Sequence, residues 1–147
     1  MEIIQVTKAS EMTKVATHLH ELATKTAGTG SVVVALSGDL GAGKTTLVQA
    51  LAKDFGVSEL VTSPTYVVMK NYELPDETIS FKKLIHIDAY RIEDIDEMRV
   101  LGFSELLKQN NTIICIEWPE RIAPLVPSEA INVAIEIDGA KRNVSIS

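Results

Sequence analysis

The chain has 147 residues, 46% of them hydrophobic and 23% charged, with a formal net charge of −6 at pH 7. That is one domain's worth of chain, residues 1–147, with an ordinary globular balance and enough length to bury a core. The acidic surplus and only four arginines argue against salt-driven binding of bare nucleic acid, so any RNA should be held by another subunit. The longest unbroken apolar run is five residues, too short for a membrane span, and Met1–Gln5 lacks the regions of a signal peptide. The single cysteine, Cys115, lies in an apolar run and reads as a reduced core residue; the expected compartment is the cytoplasm, with no membrane partner.

In chain order, residues 2–7 (Glu-Ile-Ile-Gln-Val-Thr) read as a short strand at a sheet edge. Ser10 suits a helix N-cap and Glu11 a first turn, and apolar residues recur at Met12, Val15, Ala16, Leu19, Leu22 and Ala23, predicting an amphipathic helix to about Lys25. Gly28 and Gly30 close it. His18 and His20 fall near its polar side and are expected to be solvated. Residues 31–36 are apolar at nearly every position, the mark of a central strand covered on both faces.

The strand runs into Ser-Gly-Asp-Leu-Gly-Ala-Gly-Lys-Thr-Thr, residues 37–46. Gly38, Gly43, Lys44 and Thr45 fill the phosphate-loop pattern G-x-x-x-x-G-K-[ST]. Leu47, Val48, Leu51, Ala52 and Phe55 then repeat at helical spacing up to Gly56, a natural C′ residue. The residue types follow from the chemistry. Polyphosphate is wrapped by backbone N–H groups, which glycines let approach. The helix N-terminus adds positive potential. Lys44 supplies a point charge to the β/γ-phosphates, and the Thr45 hydroxyl can ligate Mg²⁺.

Beyond the loop, Pro64 forces an extended approach to a strand starting near Thr65, and residues 71–80 read as a loop. Residues 81–88 read as a strand joined to the previous one by so short a link that the two should pair antiparallel, giving a mixed sheet. Residues 91–101 carry a weaker helical pattern closed by Gly102, and Ser104 is placed to cap a short helix through Leu107. Residues 112–116 are a second wholly apolar strand. Residues 130–137 and 143–146 alternate around Asp138-Gly139, a hairpin signal.

A phosphate loop needs acids at the ends of neighbouring strands. Asp88 and Glu117 each end an apolar run, and either is placed to be the Walker-B acid, although strand ends often carry a merely solvated acid. Thr62, Ser63 and Thr65 cluster hydroxyls around Pro64, where a γ-phosphate-sensing segment would sit. Trp118 follows one acid and suits core packing or a partner surface. Arg91 suits a phosphate or a helix acid, and His86, a lone histidine on the face of Asp88, suits a structural hydrogen bond. No Asn-Lys-x-Asp or Asp-x-x-Gly supports a GTPase, and no arginine-rich lid or second lobe supports a small-molecule kinase.

Four blocks together, residues 38–46, then Ser63-Pro64-Thr65-Tyr66, then His86-Ile87-Asp88-Ala89-Tyr90-Arg91, then Glu117-Trp118-Pro119-Glu120, resemble the TsaE family. These are bacterial ATPases needed to make N6-threonylcarbamoyladenosine at position 37 of ANN-decoding tRNAs. The phosphate loop alone is generic; the His-x-Asp-x-Tyr-Arg and Glu-Trp-Pro blocks are specific.

The resemblance implies an α/β P-loop NTPase fold with a mixed, mostly parallel central sheet flanked by helices. ATP would be wrapped by Asp39, Gly41, Ala42, Gly43, Lys44, Thr45 and Thr46. Mg²⁺ would be held by Thr45 and Glu117. Lys44 and Asp88 would act at the γ-phosphate, and residues 63–65 would form a switch-like segment. Adenine would lie against Glu11 and Thr13, with Arg142 reaching the nucleotide. The implied partners are TsaD and TsaB, with tRNA contacted only through them and hydrolysis slow without them. Any C-terminal extension of relatives would be absent, since the chain ends soon after Ser145. Two other readings stay open: a nucleotide-dependent binding module with incidental hydrolysis, and a small-molecule kinase.

Overall fold

The computed structural model describes residues 1–64, 68–75 and 79–147. Seven strands form one sheet: β1 (Glu2–Val6), β2 (Val32–Ser37), β3 (Met69–Glu73), β4 (Lys83–Asp88), β5 (Thr112–Glu117), β6 (Ile131–Asp138) and β7 (Lys141–Ile146), in the order β1-β7-β6-β2-β5-β4-β3. The central run β6-β2-β5-β4 is parallel, and the outer pairs β1–β7, β7–β6 and β4–β3 are antiparallel. The parallel character expected of the sheet thus belongs to its centre, and β1 is an edge strand, as expected of this short segment.

The wholly apolar strands are those buried on both faces. Along β2, Val32, Val34 and Leu36 join one core with α1 (Met12–Thr26) and α2 (Lys44–Asp54), while Val33 joins a second. That second core contains Met98 of α3 (Asp96–Val100), Phe103 of α4 (Phe103–Leu107) and Ile122 of a 3-10 segment at Pro119–Leu125. Alternation of side chains across a strand puts Leu84, His86 and Asp88 of β4 on the α1/α2 face. Ile113, Cys115 and Glu117 of β5 share that face. Cys115 is a free, buried thiol, pushed by burial up to about 12.

Local chemistry moves several boundaries. Ser10 does not cap α1: Ala9–Glu11 forms a 3-10 turn running into it, and the Glu11 carboxylate instead accepts the N–H (3.1 Å) and hydroxyl of Thr7. His18 and His20 are not simply solvated; they meet Glu2 at 2.8 Å and Asp54 at 2.6 Å. The helix expected over 91–101 shrinks to α3, because the Glu97 carboxylate accepts the N–H groups of Glu93 and Asp94 and Asp94 accepts that of Asp96. Side chains that bond the local backbone in this way compete with the helix ladder. Gly102, at φ 72°, rather than Ser104, opens α4. Residues 71–73, expected in a loop, pair as β3 with β4; the expected start at Thr65 lies outside the described residues. The 138–139 hairpin is present, with Asp138 opposite Lys141.

Candidate functional site

The loop between β2 and α2 is shaped by its glycines. Gly38 (φ 149°) and Gly43 (φ 114°) hold backbone that L side chains rarely adopt. A Cβ at Gly38 would meet the Ile135 carbonyl oxygen at 2.6 Å, and one at Gly43 the Met12 Cε at 3.1 Å. Glycine is therefore needed at 38 both for conformation and for close approach to β6. The loop ends where α2 begins, at Lys44, so the free N–H groups of the helix's first turn open onto it.

Lys44 is only 5% exposed and folds back on the loop, donating to the carbonyls of Gly38 and of Asp39 (3.0 Å). Its Nζ also lies 4.3 Å from the centroid of the Trp118 ring. Burial pulls its ammonium below the usual lysine range, while the carboxylates of Glu117, Glu120, Asp88 and Asp39 oppose that shift. Trp118 stands in left-handed backbone (φ 58°, ψ 51°) directly after β5, which turns its ring back over the loop. Tyr90 packs on it at 5.0 Å between centroids, and the Arg121 guanidinium lies 5.7 Å from the Tyr90 ring.

Beneath the loop the parallel register sets Asp88 opposite Glu117. Both are buried, as is His86. The Thr45 Oγ1 lies 3.1 and 3.0 Å from the two Glu117 carboxylate oxygens, and His86 Nε2 lies 2.6 Å from Oε2. Asp88 Oδ1 accepts the Tyr90 N–H at 3.0 Å. Two adjacent corners of an octahedral Mg²⁺ shell with bonds of about 2.1 Å are about 3 Å apart. The Thr45–Glu117 oxygen pair therefore fits that ion in spacing and in hard-oxygen chemistry.

A cavity of about 310 Å³ joins these groups, lined among others by Lys44, Thr45, Ser63, Asp88, Glu117 and Trp118. A second, of about 200 Å³, opens on the other side of the loop. Thr7, Lys8 and Ala9 line it from the β1–α1 connection, Met12 from α1, Ala42 from the loop, Thr46 from α2 and Arg142 from β7. Arg142 Nε also donates to the Ala42 carbonyl at 3.2 Å.

The structure thus brings together Gly41, Ala42, Gly43, Lys44, Thr45, Thr46, Asp88, Glu117 and Arg142. Asp39 contributes its carbonyl to Lys44, its side chain staying exposed. Glu11 and Thr13 stand apart from both cavities. The Glu11 carboxylate is committed to Thr7, and the exposed Thr13 hydroxyl donates to the Ser10 carbonyl at 2.9 Å. Their neighbours Thr7, Lys8 and Ala9, unremarkable in sequence, hold the place expected for them. Ser63 lines the cavity of about 310 Å³; Thr65 lies outside the described residues.

A β-strand, glycine loop and helix closing over paired strand-end acids define a P-loop α/β domain. A family model described as threonylcarbamoyl adenosine biosynthesis protein TsaE matches residues 6–144, and the chain belongs to that family. It is 36% identical over 116 residues to the tRNA threonylcarbamoyladenosine biosynthesis protein TsaE of Borreliella burgdorferi, covering 78% of this chain and 80% of that protein. To the protein of the same name from Nostoc sp. it is 38% identical over 138 residues, covering 92% and 81%. The fold matches the crystal structure of Bacillus subtilis YdiB with a TM-score of 0.73 at 23% identity, over 99% of this chain and 83% of that one.

Proposed function

We propose that the chain is a Mg²⁺-dependent ATPase that supports formation of N6-threonylcarbamoyladenosine at position 37 of ANN-decoding tRNAs by acting on the TsaD–TsaB pair. The observation that carries the Mg²⁺-nucleotide part of this reading is the Thr45–Glu117 oxygen pair beneath a glycine loop, with Asp88 opposite Glu117; membership of the TsaE family supports the tRNA role. The loop N–H groups and the α2 N-terminus bind the phosphates, and Lys44 exchanges its loop carbonyls for phosphate oxygens. Thr45 and Glu117 hold Mg²⁺, which when bound neutralises charge developing on the phosphate oxygens. Asp88 orients the attacking water, a role supported by its burial and its hydrogen bond from the Tyr90 N–H. The cavity on the Arg142 side receives the base. Hydrolysis then drives a change in the partner complex, with residues 63–65 reporting the γ-phosphate outward.

The test is reconstituted threonylcarbamoyl transfer to tRNA with TsaD and TsaB over many turnovers, comparing wild type with Asp88→Asn. Yield should fall in the variant in step with its ATP turnover. Equal yield from a hydrolysis-dead variant would favour a binding module whose hydrolysis is incidental, and a phosphorylated small-molecule product would favour a kinase.

A further inference from the structure

Glu117 is a buried carboxylate, 3% exposed, so its two oxygens need donors. Thr45 has one hydroxyl hydrogen and can donate to one of them at a time. The second donor is His86. With Glu117 a carboxylate, and hence acceptor-only, His86 Nε2 carries the hydrogen across the 2.6 Å contact to Oε2. His86 Nδ1 is buried without a hydrogen-bond partner among the described residues, so the Glu117 bond is what fixes the ring's tautomer and tilt. Both side chains project from the same face of the parallel β4–β5 pair, in the fully buried part of the sheet. That is rigid scaffolding for a short bond.

We propose that His86 is a positioning residue for Glu117: its Nε2–H holds Oε2, leaving Oε1, which has no histidine donor, as the oxygen presented to Mg²⁺ beside Thr45 Oγ1, which lies 3.1 Å from Oε1 and 3.0 Å from Oε2. This rests on the Mg²⁺-nucleotide reading above. A glutamate has three rotatable side-chain bonds, and the hydrogen bond from His86 restricts them to an arrangement in which the carboxylate meets the Thr45 hydroxyl. Metal ligands held by such outer partners lose about 10–100-fold in metal affinity when the partner is removed. A histidine serving only to fill space would have no such effect on the metal.

The experiment measures ADP binding by calorimetry over a Mg²⁺ series and in EDTA, for wild type, His86→Leu, His86→Gln and His86→Asn, with thermal melting alongside. Gln can carry an amide N–H to the place of Nε2, whereas Asn is too short. His86→Leu should raise the Mg²⁺ concentration for half-maximal effect by about 10-fold or more while leaving metal-free ADP affinity unchanged. His86→Gln should recover most of the loss, and His86→Asn should not. If Leu fails to fold, the Gln–Asn contrast decides. Variants indistinguishable from wild type, or Gln as impaired as Asn, would overturn the positioning role. A wild type whose ADP binding ignores Mg²⁺ would instead overturn the reading of the site itself.

Discussion

The Lys44 ammonium sits 4.3 Å above the Trp118 ring while donating to two carbonyls of its own loop. The chain's single tryptophan therefore covers the glycine loop with its ring while also packing against the second core. The left-handed backbone at Trp118 and the Tyr90 ring behind it hold the indole in place. A partly desolvated cation–π contact is worth about 0.5–2 kcal/mol. With the ring keeping Lys44 aimed at the phosphates in the bound state, Trp118→Leu should weaken nucleotide affinity by at most about 30-fold, and Trp118→Phe, which keeps an aromatic face, by less. Calorimetric titration with ADP checks both, and equal losses in the two variants would remove the π contact from the explanation.

Lys44→Ala should abolish tight ATP binding and hydrolysis with the fold retained. The ammonium faces the loop and the cavity, and the apolar residues of α2 that build the core, Leu47, Val48, Leu51 and Ala52, remain. Titration with Mg-ATP and a far-ultraviolet circular dichroism spectrum test the two halves. Undiminished affinity and turnover would remove the phosphate loop from the mechanism.

The two strand-end acids should separate kinetically. Glu117→Gln keeps the shape of the group that meets Thr45 and His86 but loses its charge, so the Mg²⁺ dependence of nucleotide binding should weaken by about 10-fold or more. Asp88→Asn keeps an oxygen for the Tyr90 N–H, so ATP affinity should hold within a few-fold while turnover falls by about 10²–10⁴. Metal titrations and steady-state kinetics on both variants decide. If both behave like wild type, neither acid belongs to the metal and water site.

What was legible in the sequence is what is local. The 38–45 pattern carries its own strand and helix, and the apolar runs ending in Asp88 and Glu117 mark strand ends. Their meeting was not legible in the same way, because it depends on β4 and β5 lying parallel in register, with 23 residues between them that bear no mark of it. The cavity on the Arg142 side is less legible still. Chain ends form it: β1 pairs with β7 at the far edge, which brings Thr7–Ala9 beside the loop, and nothing in those residue types signals the place. Glu11 and Thr13 are expected at the nucleotide only through the family resemblance; in the structure the Glu11 carboxylate bonds Thr7 and the Thr13 hydroxyl donates to the Ser10 carbonyl. The helix over 91–101 is shorter than its periodicity predicts for a related reason: acids that favour a helix start also bond the backbone of the preceding turn.

The Thr7–Glu11 contact gives a pH-dependent prediction. Hydrogen bonds from the Thr7 hydroxyl and N–H, with the Lys14 ammonium 3.7 Å away, hold the Glu11 carboxyl below its ordinary 4.5. A carboxyl depressed in the folded state binds fewer protons there than in the unfolded chain. Its contribution to stability is therefore fully present above about pH 4.5 and is lost as pH falls through the folded value. Glu11→Gln removes the charge but keeps one acceptor, so it should lower the urea midpoint at pH 7. The difference from wild type should shrink as the pH is taken below 4.5. Thr7→Val, which removes the hydroxyl donor, should reduce the pH-dependent part while leaving the Thr7 backbone bond in place. Because Thr7 also lines the cavity beside the phosphate loop, the Thr7 variant should weaken ADP binding at pH 7. Urea titrations at several pH values, with ADP titrations in parallel, measure both effects; a wild type–Glu11→Gln difference that stays constant down to pH 3 would remove the Thr7–Glu11 bond as its source.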